Sequence, residues 1–267
     1  TFSPQGSMAA EQPPGPGSVI SPEAWQAMAS ARPKTIWFVR HGRAEHNELM
    51  ESGHSKEGRE IRDPRLSSIG MQQARSLLED SPLLRAAILG KECAELVVSS
   101  PCWRALETAR EACRAATELG AKPPRILAHP DLQECGDFPC DTGQPMSVLQ
   151  EGFPEVDFSH LCSHPDSWFV KPGVKNGGKS MLLARCAHLT AWMCSRPERR
   201  IVVVAHSTLF AFLLRMDFAN CEVVEMRLLR PSVPVPALLL AESPAWAQMP
   251  SQMLACAPPA QAPEALR

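Results

Sequence analysis

Short apolar runs separated by longer segments of helical pattern are the feature that most limits how this chain can fold. Residues 201–205, IVVVA, are apolar without interruption, which is typical of a central strand covered on both faces. Where such strands alternate with helices along a chain, they form a mostly parallel sheet. We therefore expect a three-layer α/β/α protein with a mostly parallel central sheet.

The predicted elements lie in one block of the sequence. We expect strands at residues 35–39, 95–99, 125–127, 200–205, 223–229 and 236–240, and helices at 69–79, 82–90, 101–119, 179–195 and 207–216. Residues 34–241 would then form one domain. Residues 1–33 and 242–267 are rich in Pro and Ala, and both are expected to be linker or disordered segments. Met8 is a candidate for the natural start of the chain.

Composition limits the classes of partner and site. The net charge of −2 gives no reason to expect a nucleic acid or a membrane surface as partner, and no apolar run is long enough to span a membrane. The first residues lack the pattern of a signal peptide. Ten cysteines are scattered without a C-x-x-C pair, which indicates reduced thiols in a cytoplasmic protein and no disulfide framework or zinc site.

Three of the predicted strands are followed by side chains suited to an anion. The residues that follow them are Arg40, His41 and Gly42 after the first strand, Ser99, Ser100, Pro101 and Arg104 after the second, and His206 and Ser207 after residues 200–205. Ligands of open α/β sheets bind beyond the carboxyl ends of the strands. We expect these groups to meet at one edge of the sheet.

Together these groups have the chemistry that phosphoryl transfer requires. Guanidinium groups bind phosphoryl oxygens in pairs, and a helix with Ser100 as N-cap and Pro101 at its first position would add free N–H groups. One imidazole could attack phosphorus while the second stabilises the oxygens. No metal or other cofactor is needed, because the cationic side chains supply the charge.

Five segments of the sequence follow one another in the order found in a known family. They are VRHGRAEHN (39–47), DPRLSSIGMQQA (63–74), VVSSPCWRALETA (97–109), LQECGDFPCDTG (132–143) and IVVVAHSTLFAFLL (201–214). Together they resemble the histidine phosphatase superfamily, with the phosphoglycerate-mutase-like fold of its branch 1. The pieces FPCDTG and EGFPEVDFS are similar to a eukaryotic phosphomutase-like subgroup with poorly defined substrates.

The resemblance implies a role for each matching residue. His41 would be the nucleophile that becomes phosphohistidine, and Glu134 would protonate the leaving oxygen and then activate water. His206 would stabilise the phosphoryl group. The residues that would bind this group are Arg40, Asn47, Arg104 and Ser207, the last in place of a glycine common in the family.

Several other side chains near these motifs have open assignments. Asp131, Asp137 and Asp141 lie in the loop of Glu134 and are alternatives for the proton carrier. His46 would either line the rim of the site or face solvent, and Arg43 is a further candidate for contact with the phosphate. His54, His129 and His188 carry no pattern and are expected to be structural, and the i, i+4 pair His160 and His164 has no evident third ligand for a metal.

The resemblance implies a metal-independent phosphatase that hydrolyses a small phosphorylated metabolite. The mutase branch carries Arg-His-Tyr-Gly after its Glu, whereas this chain has Cys135-Gly136-Asp137, so phosphoglycerate mutase activity is the alternative. A catalytically degenerate domain that binds partners is the third hypothesis. No sequence feature indicates an oligomeric state.

One segment matches a motif from a different class of enzyme. Residues 173–180, GVKNGGKS, satisfy the phosphate-loop pattern G-x-x-x-x-G-K-S. No convincing strand ending in Asp follows to bind Mg²⁺, so a nucleotide site is the lesser alternative. We interpret the segment as a Gly/Lys loop over the site, in which Lys171, Lys175 and Lys179 would select anionic substrates.

Overall fold

The computed structural model describes residues 33–161, 168, 169 and 174–228, and the side chains of all of these except 174–181. The predicted strand at 236–240 and both predicted terminal segments lie outside the described residues. Within them the chain forms a three-layer α/β/α arrangement, as the sequence predicts.

Six strands form the central sheet of the described residues. They are β1 (Lys34–Arg40), β2 (Leu96–Ser99), β3 (Ile126–Ala128), β4 (Val156–Asp157), β5 (Arg200–Ala205) and β6 (Val223–Leu228). Their spatial order is β4-β3-β2-β5-β1-β6. All neighbours are parallel except β6, which pairs antiparallel with β1 at the edge. The two-residue strand β4 has no counterpart among the predicted strands.

Helices cover both faces of this sheet. They are α1 (Glu45–Glu51), α2 (Ser55–Glu60), α3 (Ser68–Asp80), α4 (Pro82–Leu89), α5 (Trp103–Glu118), α6 (Met146–Gly152), α7 (Val174–Ser195) and α8 (Ser207–Leu214). Short 3₁₀ turns occur at Pro130–Leu132, Pro139–Asp141 and Ser159–Leu161. The sequence pattern predicts α3, α4, α5 and α8 to within about two residues, but it gives no sign of α1, α2 or α6.

Alternate residues of the central strands point to opposite faces and build two separate cores. On one face, Trp37 and Val39 of β1 pack with buried residues of α3, α4 and α5. On the other face, Ile36 and Phe38 pack with buried residues of α7 and α8. Burial on both faces explains why the strands read as continuous apolar runs.

The start of α5 differs from the prediction. The helix begins at Trp103 with Cys102 as its N-cap, and Cys102 makes no side-chain capping hydrogen bond. The prediction of Ser100 as N-cap is therefore wrong. Instead, Asp63 Oδ1 accepts a hydrogen bond from Trp103 N at 2.9 Å, so a carboxylate distant in sequence takes the capping role.

The glycine-rich match to a phosphate loop is also placed differently from the prediction. The backbone of residues 174–180 is the first part of α7, a single helix from Val174 to Ser195. In a phosphate loop, the backbone N–H groups surround the anion in a loop that precedes the helix, whereas residues 174–180 are already helical. Because these residues are helical, they also do not form a Gly/Lys loop over the site. Both interpretations of this segment are wrong over residues 174–180.

None of the described helices combines the length and the apolar character needed to cross a membrane.

Candidate active site

The carboxyl ends of β1, β2 and β5 bring two distant imidazoles together. These strands are adjacent in the order β2-β5-β1, and His41 and His206 follow β1 and β5. Their ring centroids lie 5.1 Å apart, with the ring planes at 62°. The predicted meeting of the two rings at one edge of the sheet is confirmed.

His41 has the proton arrangement of a nucleophile. Its Nδ1 lies 2.7 Å from the carbonyl oxygen of Gly42, which can only accept, so Nδ1 carries the proton. Nε2 then carries the lone pair of the ring, which accepts a hydrogen bond from Arg104 Nε at 3.2 Å. Burial lowers the pKa of His41 well below its usual value, and Arg104 and Arg40 lower it further. The ring is neutral, and Nε2 is available for attack.

Neighbouring elements hold the backbone around His41 in place. Gly42 N donates to Thr108 Oγ1 at 3.0 Å, and that hydroxyl donates to Arg104 O on the previous turn of α5. On the other side, Asn220 Nδ2 donates to the carbonyl of His41 at 3.0 Å. His41 is therefore fixed between α5 and the loop that precedes β6.

Two guanidinium groups make the pocket electropositive. Arg104 is 1% exposed, and its Nη1 donates to Cys140 O at 2.8 Å. Arg40 donates from Nη1 to Phe218 O at 2.7 Å, while its Nε is buried without a hydrogen-bond partner among the described residues. A buried donor that has no acceptor among the described residues is available to an anion that enters the pocket.

His206 lies at the start of α8 and contacts the serine that follows β2. It is fully buried, and its Nε2 is 2.8 Å from Ser100 Oγ. Ser100 therefore orients the second imidazole instead of capping α5. Ser207 occupies the first position of α8, and its hydroxyl donates to Phe218 O at 3.4 Å.

Glu134 lies against the N-terminus of α8. Its Oε1 accepts from Leu209 N at 3.1 Å and from Cys135 N at 2.8 Å, and its Oε2 accepts from Thr208 N at 3.4 Å. The carboxylate interacts electrostatically with both pocket arginines. The helix that begins after His206 thus holds the acidic side chain beside the two pocket arginines.

The three alternative acids have different surroundings. Asp131 is paired with His188 of α7. Asp137 is exposed in the loop. Only Asp141 approaches the pocket, with Oδ1 3.7 Å from Arg104 Nη2 and the residue 8% exposed. Among the loop carboxyls, Glu134 and Asp141 are therefore the two that interact with Arg104.

The α1 region contains the remaining predicted side chains. Asn47 Oδ1 accepts from Ala44 N at 3.0 Å, and its Nδ2 lies 3.1 Å from His46 Nε2. His46 is buried, with its ring centroid 6.2 Å from that of His41. Arg43 forms an ion pair with Glu51 at the surface.

Asp63 is a residue of the site that the sequence reasoning did not single out. It is 4% exposed, has φ +44°, and interacts electrostatically with Arg104 while it caps α5. Burial raises its pKa to about 6. Asp63 opens the DPRLSSIG segment, so the motif contained it, but capping across a gap of 40 residues leaves no local pattern.

Among the described residues, no group of three or more His, Cys, Asp or Glu side chains is arranged to hold a metal ion.

Comparison with known proteins identifies the family of this chain. A model of the histidine phosphatase superfamily (branch 1) matches residues 36–230. The match covers most of the chain, so this chain belongs to that family.

Individual relatives carry phosphatase or mutase-like names. A protein of Schizosaccharomyces pombe named a probable phosphatase is 32% identical over 174 residues, which are 65% of this chain and 74% of the relative. The Arabidopsis thaliana phosphoglycerate mutase-like protein 1 is 29% identical, over 73% of this chain and 81% of the relative. Among solved structures, phosphoglycerate mutase from Bacillus anthracis is 14% identical with a TM-score of 0.46, over 76% of this chain and 91% of that one.

Proposed function

We propose that this chain is a metal-independent phosphatase that hydrolyses phosphomonoesters through a phosphohistidine on His41. The observation that carries the proposal is the neutral His41 ring, with a lone pair on Nε2 beside the Arg104 guanidinium and 5.1 Å between its centroid and that of His206. A nucleophile, a cation for the equatorial oxygens and a second imidazole are the parts that covalent phosphoryl transfer uses. Family membership and the phosphatase name of one relative support the same conclusion.

The proposed reaction has two steps. In the first, His41 Nε2 attacks phosphorus, the P–O ester bond breaks, and the Glu134 carboxyl gives its proton to the leaving oxygen. In the second, water attacks phosphorus, the P–Nε2 bond breaks, and Glu134 takes a proton from the attacking water. Arg40, Arg104 and His206 stabilise the oxygens, with Asn47 and Ser207 as further contacts, so the site's own cations supply the charge that a metal would otherwise supply.

Phosphoglycerate mutase activity remains the competing function. Three relatives have mutase-like names, which supports this alternative, but Cys135, Gly136 and Asp137 stand where the mutase branch has Arg, His and Tyr. Without cations there to retain a bisphosphate, water is the expected acceptor. Transfer of phosphate between positions of one phosphoglycerate, stimulated by the bisphosphate, would favour the mutase. A degenerate domain that only binds partners would form no phosphoenzyme.

We propose a small phosphorylated metabolite as substrate and the cytoplasm as location. His41, Arg104 and His206 are all nearly fully buried, so a phosphate on a slender molecule reaches them more easily than one on a folded surface. Six cysteines of the described residues carry free thiols, as expected in a reducing compartment: Cys93, Cys113, Cys140, Cys186, Cys194 and Cys221. A panel of phosphorylated metabolites assayed with the purified protein would define the substrate.

His41→Ala tests the proposed function directly. We expect the variant to lose hydrolysis of p-nitrophenyl phosphate, because the proposed reaction places the phosphoryl group on His41. The matched control is His54→Ala, which changes an exposed imidazole and should keep full activity. EDTA should leave the wild type unchanged, and vanadate should inhibit it. Full turnover by His41→Ala would contradict the covalent mechanism, and loss of activity in EDTA would contradict metal independence.

A further inference from the structure

His46 is a third imidazole close to the pocket that the proposed reaction does not use. It lies on α1, is 6% exposed, and its ring centroid is 6.2 Å from that of His41. The charged groups that act on it are Arg104 of α5 and Arg40 of β1. His46 therefore lies beside the side chains that would bind the phosphoryl group.

The hydrogen bonds of Asn47 fix the proton on this ring. Ala44 N can only donate, so the amide atom 3.0 Å from it must be the oxygen of Asn47. The amide nitrogen Nδ2 then faces His46 Nε2 at 3.1 Å and donates to it. Since Nε2 accepts, the proton of the neutral ring is on Nδ1.

This proton has no acceptor among the residues that the structure describes. His46 Nδ1 is buried without a hydrogen-bond partner among the described residues. The ring is neutral at ordinary pH, because burial, with Arg104 and Arg40, lowers its pKa to about 3. The charged side chains that face it, Arg40 and Arg104, are themselves donors. A buried N–H beside other donors needs an acceptor, and none of the described residues supplies one.

We propose that His46 Nδ1–H donates a hydrogen bond to a phosphoryl oxygen of the substrate. This inference rests on the proposed function, which places a phosphoryl group between His41, Arg40 and Arg104. Because Asn47 holds the tautomer, α1 acts as a unit in which the amide orients the ring and the ring contacts the anion. The donor is uncharged and does not titrate between pH 5.5 and 8.5.

Three substitutions separate this contact from a packing role. His46→Asn keeps an N–H donor at about the position of Nδ1, whereas His46→Gln places its amide near Nε2, and His46→Phe keeps the ring shape without a donor. Orthovanadate, a tetrahedral oxyanion, serves as the probe, and calorimetry measures its dissociation constant without any need for turnover. We expect His46→Phe and His46→Gln to weaken binding by roughly tenfold to hundredfold, and His46→Asn by less than about threefold. The ratio of the vanadate dissociation constant of His46→Phe to that of the wild type should stay constant from pH 5.5 to 8.5.

Each result supports or overturns the contact. Wild-type affinity in His46→Phe would overturn it, and so would equal losses in His46→Asn and His46→Phe with thermal unfolding midpoints unchanged. If the ratio of the two dissociation constants varies with pH, the claim that the donor is uncharged would be wrong. Trapping of phosphoenzyme on the wild type separates this inference from the proposed function. If the wild type binds vanadate through His46 but forms no phosphoenzyme, the function fails and the contact stands. If phosphoenzyme forms and the His46 variants bind normally, only the contact fails.

Discussion

The positions of a few protons decide what this site can do. His41 keeps a lone pair on Nε2 because Gly42 O binds the proton of Nδ1. The opposite requirement applies to the acid, which must deliver a proton to the leaving oxygen. Glu134 and Asp141 both interact with Arg104, so single substitutions must distinguish them.

Glu134→Gln tests the acid role through the leaving group. A poor leaving group such as an alkoxide needs a proton as the P–O bond breaks, whereas p-nitrophenolate does not. We expect kcat/KM for an alkyl phosphate to fall roughly hundredfold or more, and that for p-nitrophenyl phosphate to fall much less. Steady-state kinetics with both substrates measures the difference, since kcat/KM reports formation of the phosphoenzyme.

Two variants in the same loop complete this comparison. Asp137→Asn changes an exposed carboxyl and should leave kcat/KM unchanged for both substrates. Asp141→Asn removes the other carboxyl beside Arg104 and should lower kcat/KM for both substrates by a similar factor. Equal losses for the two substrates in Glu134→Gln, with the leaving-group effect found in Asp141→Asn, would move the acid role to Asp141.

Asp63 gives a prediction for the pH dependence of stability. Its pKa is raised from 3.8 to about 6 in the folded protein, so the folded protein binds this proton more tightly than the unfolded chain does. The protonated carboxyl therefore contributes to the free energy of unfolding below about pH 4. This contribution, roughly 3 kcal/mol, is lost as pH rises through 6. Asn cannot titrate and still offers an oxygen to Trp103 N. Relative to the wild type, Asp63→Asn should therefore gain roughly 3 kcal/mol of unfolding free energy from pH 4 to pH 8.

Urea unfolding at several pH values measures this gain. The difference between variant and wild type isolates Asp63, because the buried histidines titrate in both proteins. A difference that stays constant from pH 4 to pH 8 would contradict the raised pKa of this carboxyl.

At the scale of elements, the site depends on close contact between the loop after β1 and the start of α3. Gly42 and Gly70 meet there with almost no space for side chains. A Cβ on Gly42 would lie 2.7 Å from Gly70 O, and one on Gly70 would overlap the backbone of Arg43. In addition, Ser67 caps α3 and donates its hydroxyl to Arg43 O. This contact positions the loop that carries His41.

Gly70→Ala should displace that loop. The methyl group cannot be accommodated against a backbone carbonyl, so we expect a loss of about 3 kcal/mol of unfolding free energy or more, together with a large loss of turnover. Ser68→Ala is the matched control on the same helix, since Ser68 is exposed. Urea unfolding and p-nitrophenyl phosphate hydrolysis provide the two measurements. Wild-type values for Gly70→Ala would show that the loop tolerates separation from α3.

Elements with strong local signals are the ones that the sequence predicts well. Continuous apolar runs identify β1, β2 and β5, because each is buried on both faces. The short helices α1 and α2 have six or seven residues and bury a single side chain or glycine each, so no apolar period marks them. The backbone of residues 174–180 is helical although it includes two glycines, Gly177 and Gly178, since glycine costs only about 1 kcal/mol per position in a helix.

At the scale of the whole molecule, the sequence predicts which side chains lie close together but not which hydrogen bonds they form. Parallel β1, β2 and β5 place their carboxyl ends together, so His41, Arg104 and His206 could be expected at one edge. The tautomer of His46 and the capping of α5 by Asp63 depend on hydrogen bonds between segments far apart in the chain. Such contacts exist only after the sheet has formed, and no spacing in the sequence encodes them.

The central claim is that His41 carries the phosphoryl group between the two steps. Rapid mixing with substrate, an alkaline quench and mass spectrometry of the peptides test it most directly, because phosphohistidine survives base and is hydrolysed by acid. We predict an alkali-stable, acid-labile phosphoryl group on His41 during turnover, which His41→Ala lacks. Steady turnover with no phosphoryl group attached to the protein, or with the group on another residue, would contradict the account.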